Sequence, residues 1–111
     1  MVTQENYRKL ALALPEVTEV PHFDKQSFRW HNKIFATLWI KEDRAMLKLS
    51  LIDQSVFCAF DSQVFYPVPN AWGKQGATFV ELKLVREDMF TDALNCAYQL
   101  LISKTLFNGL A

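Results

Sequence analysis

Residues 4–14, QENYRKLALAL, set Tyr7, Leu10, Ala11 and Leu14 at i, i+3, i+4 and i+7, the spacing that gathers apolar side chains on one face of a helix. Thr3 is placed to cap that helix, and Pro15 ends it by disfavouring the α conformation at Leu14. The period then changes to two. TEVPHF (18–23) is a short extended piece that Pro21 suits to a sheet edge. In SFRW (27–30), Phe28 and Trp30 alternate with Ser27 and Arg29, as in a half-exposed strand. His31-Asn32 reads as a tight turn, because Asn tolerates positive φ. KIFATLWI (33–40) is apolar on both faces, with Ile34, Ala36, Leu38 and Ile40 on one and Phe35, Thr37 and Trp39 on the other, which predicts a central strand. Lys41-Glu42-Asp43-Arg44 makes a charged hairpin tip, and residues 45–49 make the return strand.

SLIDQSVFCAF (50–60) opens with Ser50 and Asp53 in capping-box spacing and lines Ile52, Val56 and Phe60 along one face, predicting a short helix. A long connection follows, punctuated by Pro67, Pro69, Gly73 and Gly76 and holding an apolar knot of Val64, Phe65, Tyr66, Val68 and Trp72. ATFVELKL (77–84) alternates Thr78, Val80, Leu82 and Leu84 against Phe79, Glu81 and Lys83. A last helix spans about 87–104, with Phe90, Ala93, Leu94, Ala97 and Leu101 inward and Glu87 and Asp88 at its positive dipole end. Residues 105–111 read as a loose tail. The order α-β-β-β-β-α-β-α predicts one α+β domain over residues 1–111, a largely antiparallel sheet with its helices mainly on one face. The opposite face is then open, and an open face bearing aromatic and basic groups is the first place to look for binding.

Composition narrows the class. The chain has 111 residues, half of them hydrophobic, with nine Phe, three Trp and three Tyr, enough to build a core without staples. Cys58 and Cys96 fall in helical segments at no zinc spacing and read as inert thiols in a reducing compartment. The first ten residues lack the charge and apolar regions of a secretory signal, and no apolar run approaches the roughly 18 residues of a membrane span. The expected setting is the cytoplasm, with the protein a monomer and no membrane contact. Twelve basic residues balance twelve acidic ones, unlike the usual basic nucleic-acid domain. The distribution is uneven, however, and residues 22–49 carry a net charge of +3.

Gly73-Lys74-Gln75-Gly76 is the one glycine motif with several readings. A P-loop requires GxxxxGK[ST] ahead of a helix, and here the Gly-Lys precedes a strand. The GxxG of a KH domain joins two helices, whereas Gly76 leads straight into TFVEL. The remaining reading is a turn whose glycines adopt angles closed to other residues, with Trp72 plugging the core beside it. Neither His22 nor His31 has a partner at metal-ligand or catalytic spacing, so binding without catalysis, cofactor or metal is expected. For nucleic acid, Arg29, His31 and Lys33 surround one hairpin turn and Lys41 and Arg44 flank another, with Lys48 and Lys74 adding to the field. Trp30, Trp39 or Trp72 would supply stacking or ligand contact if outward-facing.

The stretches LALPEVTEVPHFDKQSFRWHNKIFATLW, MLKLS and PVPNAWGKQGATFVEL, taken in order, resemble the MmcQ/YjbR family of small bacterial proteins over roughly residues 7–104. The resemblance implies a compact α+β fold related to the frataxin-like architecture. It also implies double-stranded DNA as partner, bound weakly and without sequence preference between two hairpin wings. The matching positions are residues 29–33 and 41–44. Asn32 replaces a frequent Gly, which preserves the turn, and Ala77 replaces a bulky aromatic, which implies a smaller surface there. The alternative function is a protein-interaction or small-ligand module using the open sheet face and the Trp72 loop.

Overall fold

The Thr3 hydroxyl accepts the Asn6 N–H at 3.0 Å and starts α1, Gln4–Leu12, at the expected residue. The computed structural model describes residues 1–110, with side chains through residue 107. Four strands follow as a meander: β1 (Val17–His22), β2 (Lys25–Trp30), β3 (Lys33–Trp39) and β4 (Arg44–Lys48). His31 and Asn32 have φ of 49° and 68°, the two left-handed residues that a type I′ hairpin turn requires. Ser50 then caps α2 (Leu51–Phe60) by accepting the Asp53 N–H at 3.0 Å.

The connection after α2 holds two short elements that periodicity did not mark. They are β5 (Phe65–Pro67) and the single turn α3 (Ala71–Lys74), ahead of β6 (Ala77–Glu81). Each is too short to display a repeat. The six strands form one antiparallel sheet in the order β1-β2-β3-β4-β6-β5. The final helix α4 runs Glu87–Leu110, so the tail expected from residue 105 is helical as far as Leu110, while Ala111 lies outside the described residues.

One sheet face carries the helices and the core. Tyr7 of α1 packs on Phe28 of β2 and Phe90 of α4, with ring centroids 5.0 and 4.9 Å away, and its hydroxyl donates to the Thr37 carbonyl at 2.9 Å. Phe35 meets Tyr98 of α4, and Phe57 of α2 meets Phe65 of β5. A register shift at Phe28/Arg29 leaves Phe35 without a partner on β2. Strict alternation is therefore broken, and Phe35, Ala36 and Leu38 are all buried in the core while Ile34, Thr37 and Trp39 share the opposite face.

Helix α2 inverts its sequence pattern. Ile52, Val56 and Phe60, the apolar stripe, are 77%, 60% and 64% exposed, and the buried positions are Gln54 and Phe57. The Gln54 amide nitrogen lies 2.9 Å from the Gly73 carbonyl, 3.2 Å from that of Ala77 and 3.1 Å from the Thr78 hydroxyl, so it fastens α2 to the α3 turn. Gln54→Leu is expected to cost about 1–3 kcal/mol in urea unfolding, because those buried acceptors lose their donor. Ile52→Ser is expected to stay within about 0.5 kcal/mol of wild type. The reverse order would place the stripe in the core.

Candidate binding groove on the uncovered sheet face

Among the described residues, no helix covers the second face of the sheet. Strand register places on it Lys25, Ser27 and Arg29 of β2, then Ile34, Thr37 and Trp39 of β3. Arg44, Met46 and Lys48 of β4 lie beside Glu81, Phe79 and Ala77 of β6, with Tyr66 of β5 next to Phe79. Its aromatic groups are held in place by polar ones. The Trp39 indole N–H donates to the Thr37 hydroxyl at 3.0 Å, and the Lys25 ammonium stands 4.3 Å from the indole centroid. The Arg44 guanidinium lies 3.7 Å from the Phe79 centroid and 4.9 Å from that of Trp39, and donates to the Tyr66 hydroxyl at 3.3 Å. Tyr66 in turn donates to the Glu81 carboxylate. Such cation–ring contacts contribute on the order of 0.5–2 kcal/mol each, and here they fix rotamers across four strands, β2, β3, β4 and β6.

Between the β1–β2 tip and α3 this face sinks into a groove of ≈ 410 Å³. His22, Phe23, Lys25 and Trp39 line one end, Thr37 and Met46 the middle, and Ile34, Lys48, Val68, Trp72 and Ala77 the other end. The volume falls in the range of small-molecule sites, which combine apolar walls with a few placed polar groups. Trp72 was expected to plug the core but is 64% exposed, because its one-turn helix stands beside the sheet and turns the ring outward to the groove. Ala77 is buried in the floor, so its small side chain deepens the groove instead of reducing a surface.

The candidate nucleic-acid residues are dispersed. The β2–β3 turn with His31 and the β3–β4 turn with Lys41 lie at opposite ends of β3, roughly 20 Å apart along a strand of this length. Arg29 is half-buried and its Nε donates to the Ser27 hydroxyl, and Arg44 is held against Phe79. His31 stacks on Trp30 at 3.9 Å with its Nε2 3.3 Å from Glu16. Trp30 is buried in the core, so stacking with a base is closed to it. Trp39 lines the groove. Lys33 is exposed with its ammonium 3.5 Å from the Thr105 hydroxyl, and Lys41 and Lys74 are exposed at separate places. Lys48 alone of the seven basic candidates lines the groove. Burial, with the Lys104 ammonium nearby, holds the Lys48 pKa below the usual lysine range.

The groove residues missed in the sequence were His22, Phe23, Lys25, Ile34, Thr37, Met46, Val68 and Ala77. A signal existed for Met46: alternation along β4 sets it with Arg44 and Lys48, opposite Ala45 and Leu47. Val68 and Ala77 gave none, since what brings them to the floor is the path of the 68–76 loop.

The fold has a relative among solved structures. A Deinococcus radiodurans protein, DR2400, with a DUF419 domain, superposes with a TM-score of 0.83 at 21% identity, covering 95% of this chain and 82% of that one. At that identity the likeness concerns the fold alone. No curated protein matches the sequence. Among the described residues, no helix is long and apolar enough to cross a membrane. The YjbR family model matches residues 12–100, from the end of α1 through most of α4, and by that match the chain belongs to the YjbR family.

Proposed function

We propose that this chain is a binding module, acting without catalysis, whose working surface is the uncovered sheet face and whose ligand is a small molecule seated in the groove. The observation that carries this reading is the ≈ 410 Å³ concavity walled by Trp39, Met46 and Trp72 on a face that, among the described residues, no helix covers. An aromatic wall clamped by Thr37, Lys25 and Arg44 is preorganised, so a ligand would order little on binding. A fragment library screened by ¹H–¹⁵N NMR is expected to shift the amides of Thr37, Met46, Trp72 and Ala77 together. Ala77→Phe, which fills the floor, is expected to abolish those shifts. Fragments that gather instead on the helical face, or none binding at millimolar concentration, would count against the groove.

Duplex binding by two basic hairpins is the competing reading, supported by family membership and by the exposed Lys33 and Lys41. It is the weaker one, because consecutive turns of a meander point to opposite ends of the sheet and Arg29 and Arg44 are engaged on its surface. Fluorescence anisotropy with a random-sequence duplex separates the two. Four phosphate contacts would give a log–log salt slope of about −3.6. We expect no such slope. A slope of that size, reduced in Lys33→Ala and Lys41→Ala, would transfer the function to the hairpins.

A further inference from the structure

The charged groups of the groove are of one sign. Among the described residues, its walls hold Lys25 and Lys48 and no carboxylate. The two ends differ, however. The Lys25 ammonium is already engaged, 3.0 Å from Asp24 and over the Trp39 ring. Lys48, at the α3 end, has no carboxylate within 4.0 Å among the described residues, and its cationic neighbour Lys104 adds to the positive field there. A cation left unneutralised beside an apolar concavity is matched by a ligand that brings its own negative charge, since each side then offsets the other's desolvation. The available charge also limits the ligand. One free lysine reinforced by a second suits a single acidic group, while a polyanion would need a row of such cations.

Resting on the groove reading above, we propose that the ligand class is a small amphiphilic monoanion, with a planar or extended apolar body along Trp39 and Met46 and its acidic group at Lys48. Lys48 sets specificity for the charge. Trp72, standing at the same end, covers the body of the ligand whatever its charge.

The test compares two probes with one body, 2-naphthoate and the neutral 2-naphthalenemethanol, titrated into the ¹⁵N-labelled full chain. We expect naphthoate to shift the groove amides and to bind at least about tenfold more tightly than the alcohol, the factor a charge-assisted hydrogen bond supplies. Lys48→Met is expected to remove that preference, bringing the affinity for naphthoate down to that for the alcohol. Trp72→Ala is expected to weaken both probes. Equal affinities for the two probes, or a preference that survives Lys48→Met, would overturn the anionic ligand class and leave the groove reading standing. Failure of both probes to perturb any groove amide at millimolar concentration would overturn both.

Discussion

Replacing Gly76 by alanine is expected to destabilise the protein by about 3 kcal/mol or more, lowering the melting temperature by roughly 12 °C or more. Two effects add. The residue sits at φ 110°, which side-chain-bearing residues rarely adopt, and a Cβ built there would stand 1.9 Å from the Leu49 carbonyl oxygen. That oxygen belongs to backbone held in register, because the Leu49 N–H donates to the Gly76 carbonyl at 3.1 Å, so neither side can yield cheaply. Gly73→Ala is expected to cost a similar amount by a different route. Gly73 is helical in α3 and lacks a left-handed φ, contrary to the plain turn reading, but its Cβ would meet the Val68 carbonyl oxygen at 1.8 Å. The loop must therefore move at Val68, and Val68 and Trp72 both line the groove. Against a total stability of 5–15 kcal/mol, typical of such domains, either loss is large. Differential scanning calorimetry of the two variants checks both. A melting temperature within about 2 °C of wild type for Gly76→Ala would mean a turn of another conformation.

The second large effect concerns alkaline pH. Tyr7 is fully buried among Phe28, Phe90 and the sheet, and the loss of hydration raises its pKa well above the ordinary value of 10.0. Folding therefore favours the protonated phenol. Above pH 10 the unfolded chain releases the Tyr7 proton while the native state keeps it, so the native state binds more protons and its stability falls as pH rises. The loss is about 1.4 kcal/mol per pH unit from this one group, beginning near pH 10 and continuing up to its folded-state pKa. Below pH 10 the contribution is fully present. Tyr66 and Tyr98 are raised as well, so some alkaline sensitivity belongs to them. Tyr7→Phe is expected to give up about 1 kcal/mol at neutral pH with the hydrogen bond to Thr37. In exchange it is expected to flatten the alkaline limb by that one-proton slope. Urea titrations at pH 8, 10 and 11 measure both, and an unchanged slope in the variant would show that Tyr7 does not ionise in the unfolding equilibrium.

Both effects trace to residues that local pattern identified unevenly. Tyr7 belongs to the i, i+3, i+4, i+7 set of α1, and its place in the core was legible from spacing alone. The glycines were legible as a turn, but the reason each must be glycine lay in atoms distant in sequence: Leu49 for Gly76, and Val68 for Gly73. The hairpin reading turns on the same kind of long-range information. Two basic hairpin turns were visible in the sequence, and a meander puts consecutive turns at opposite ends of β3, which separates the cations that the resemblance paired.

Local pattern along the chain sufficed for α1, α2 and α4, for the caps at Thr3 and Ser50, for the four-strand meander, for the one-sided covering of the sheet and for the family. These follow from side-chain period, capping chemistry and turn residues, all of which act within a few positions along the chain. Tertiary structure decided which stripe of α2 is buried, since the inward face is the one that sets Gln54 against the α3 turn and Phe57 against Phe65, leaving Ile52, Val56 and Phe60 exposed. It also decided that Phe35 slips out of alternation to join the core, and that Trp72 faces a groove. A groove is a space between strands and a loop brought together from distant parts of the chain. Its walls, His22 at one end and Ala77 at the other, share no local pattern that a reading along the backbone can register.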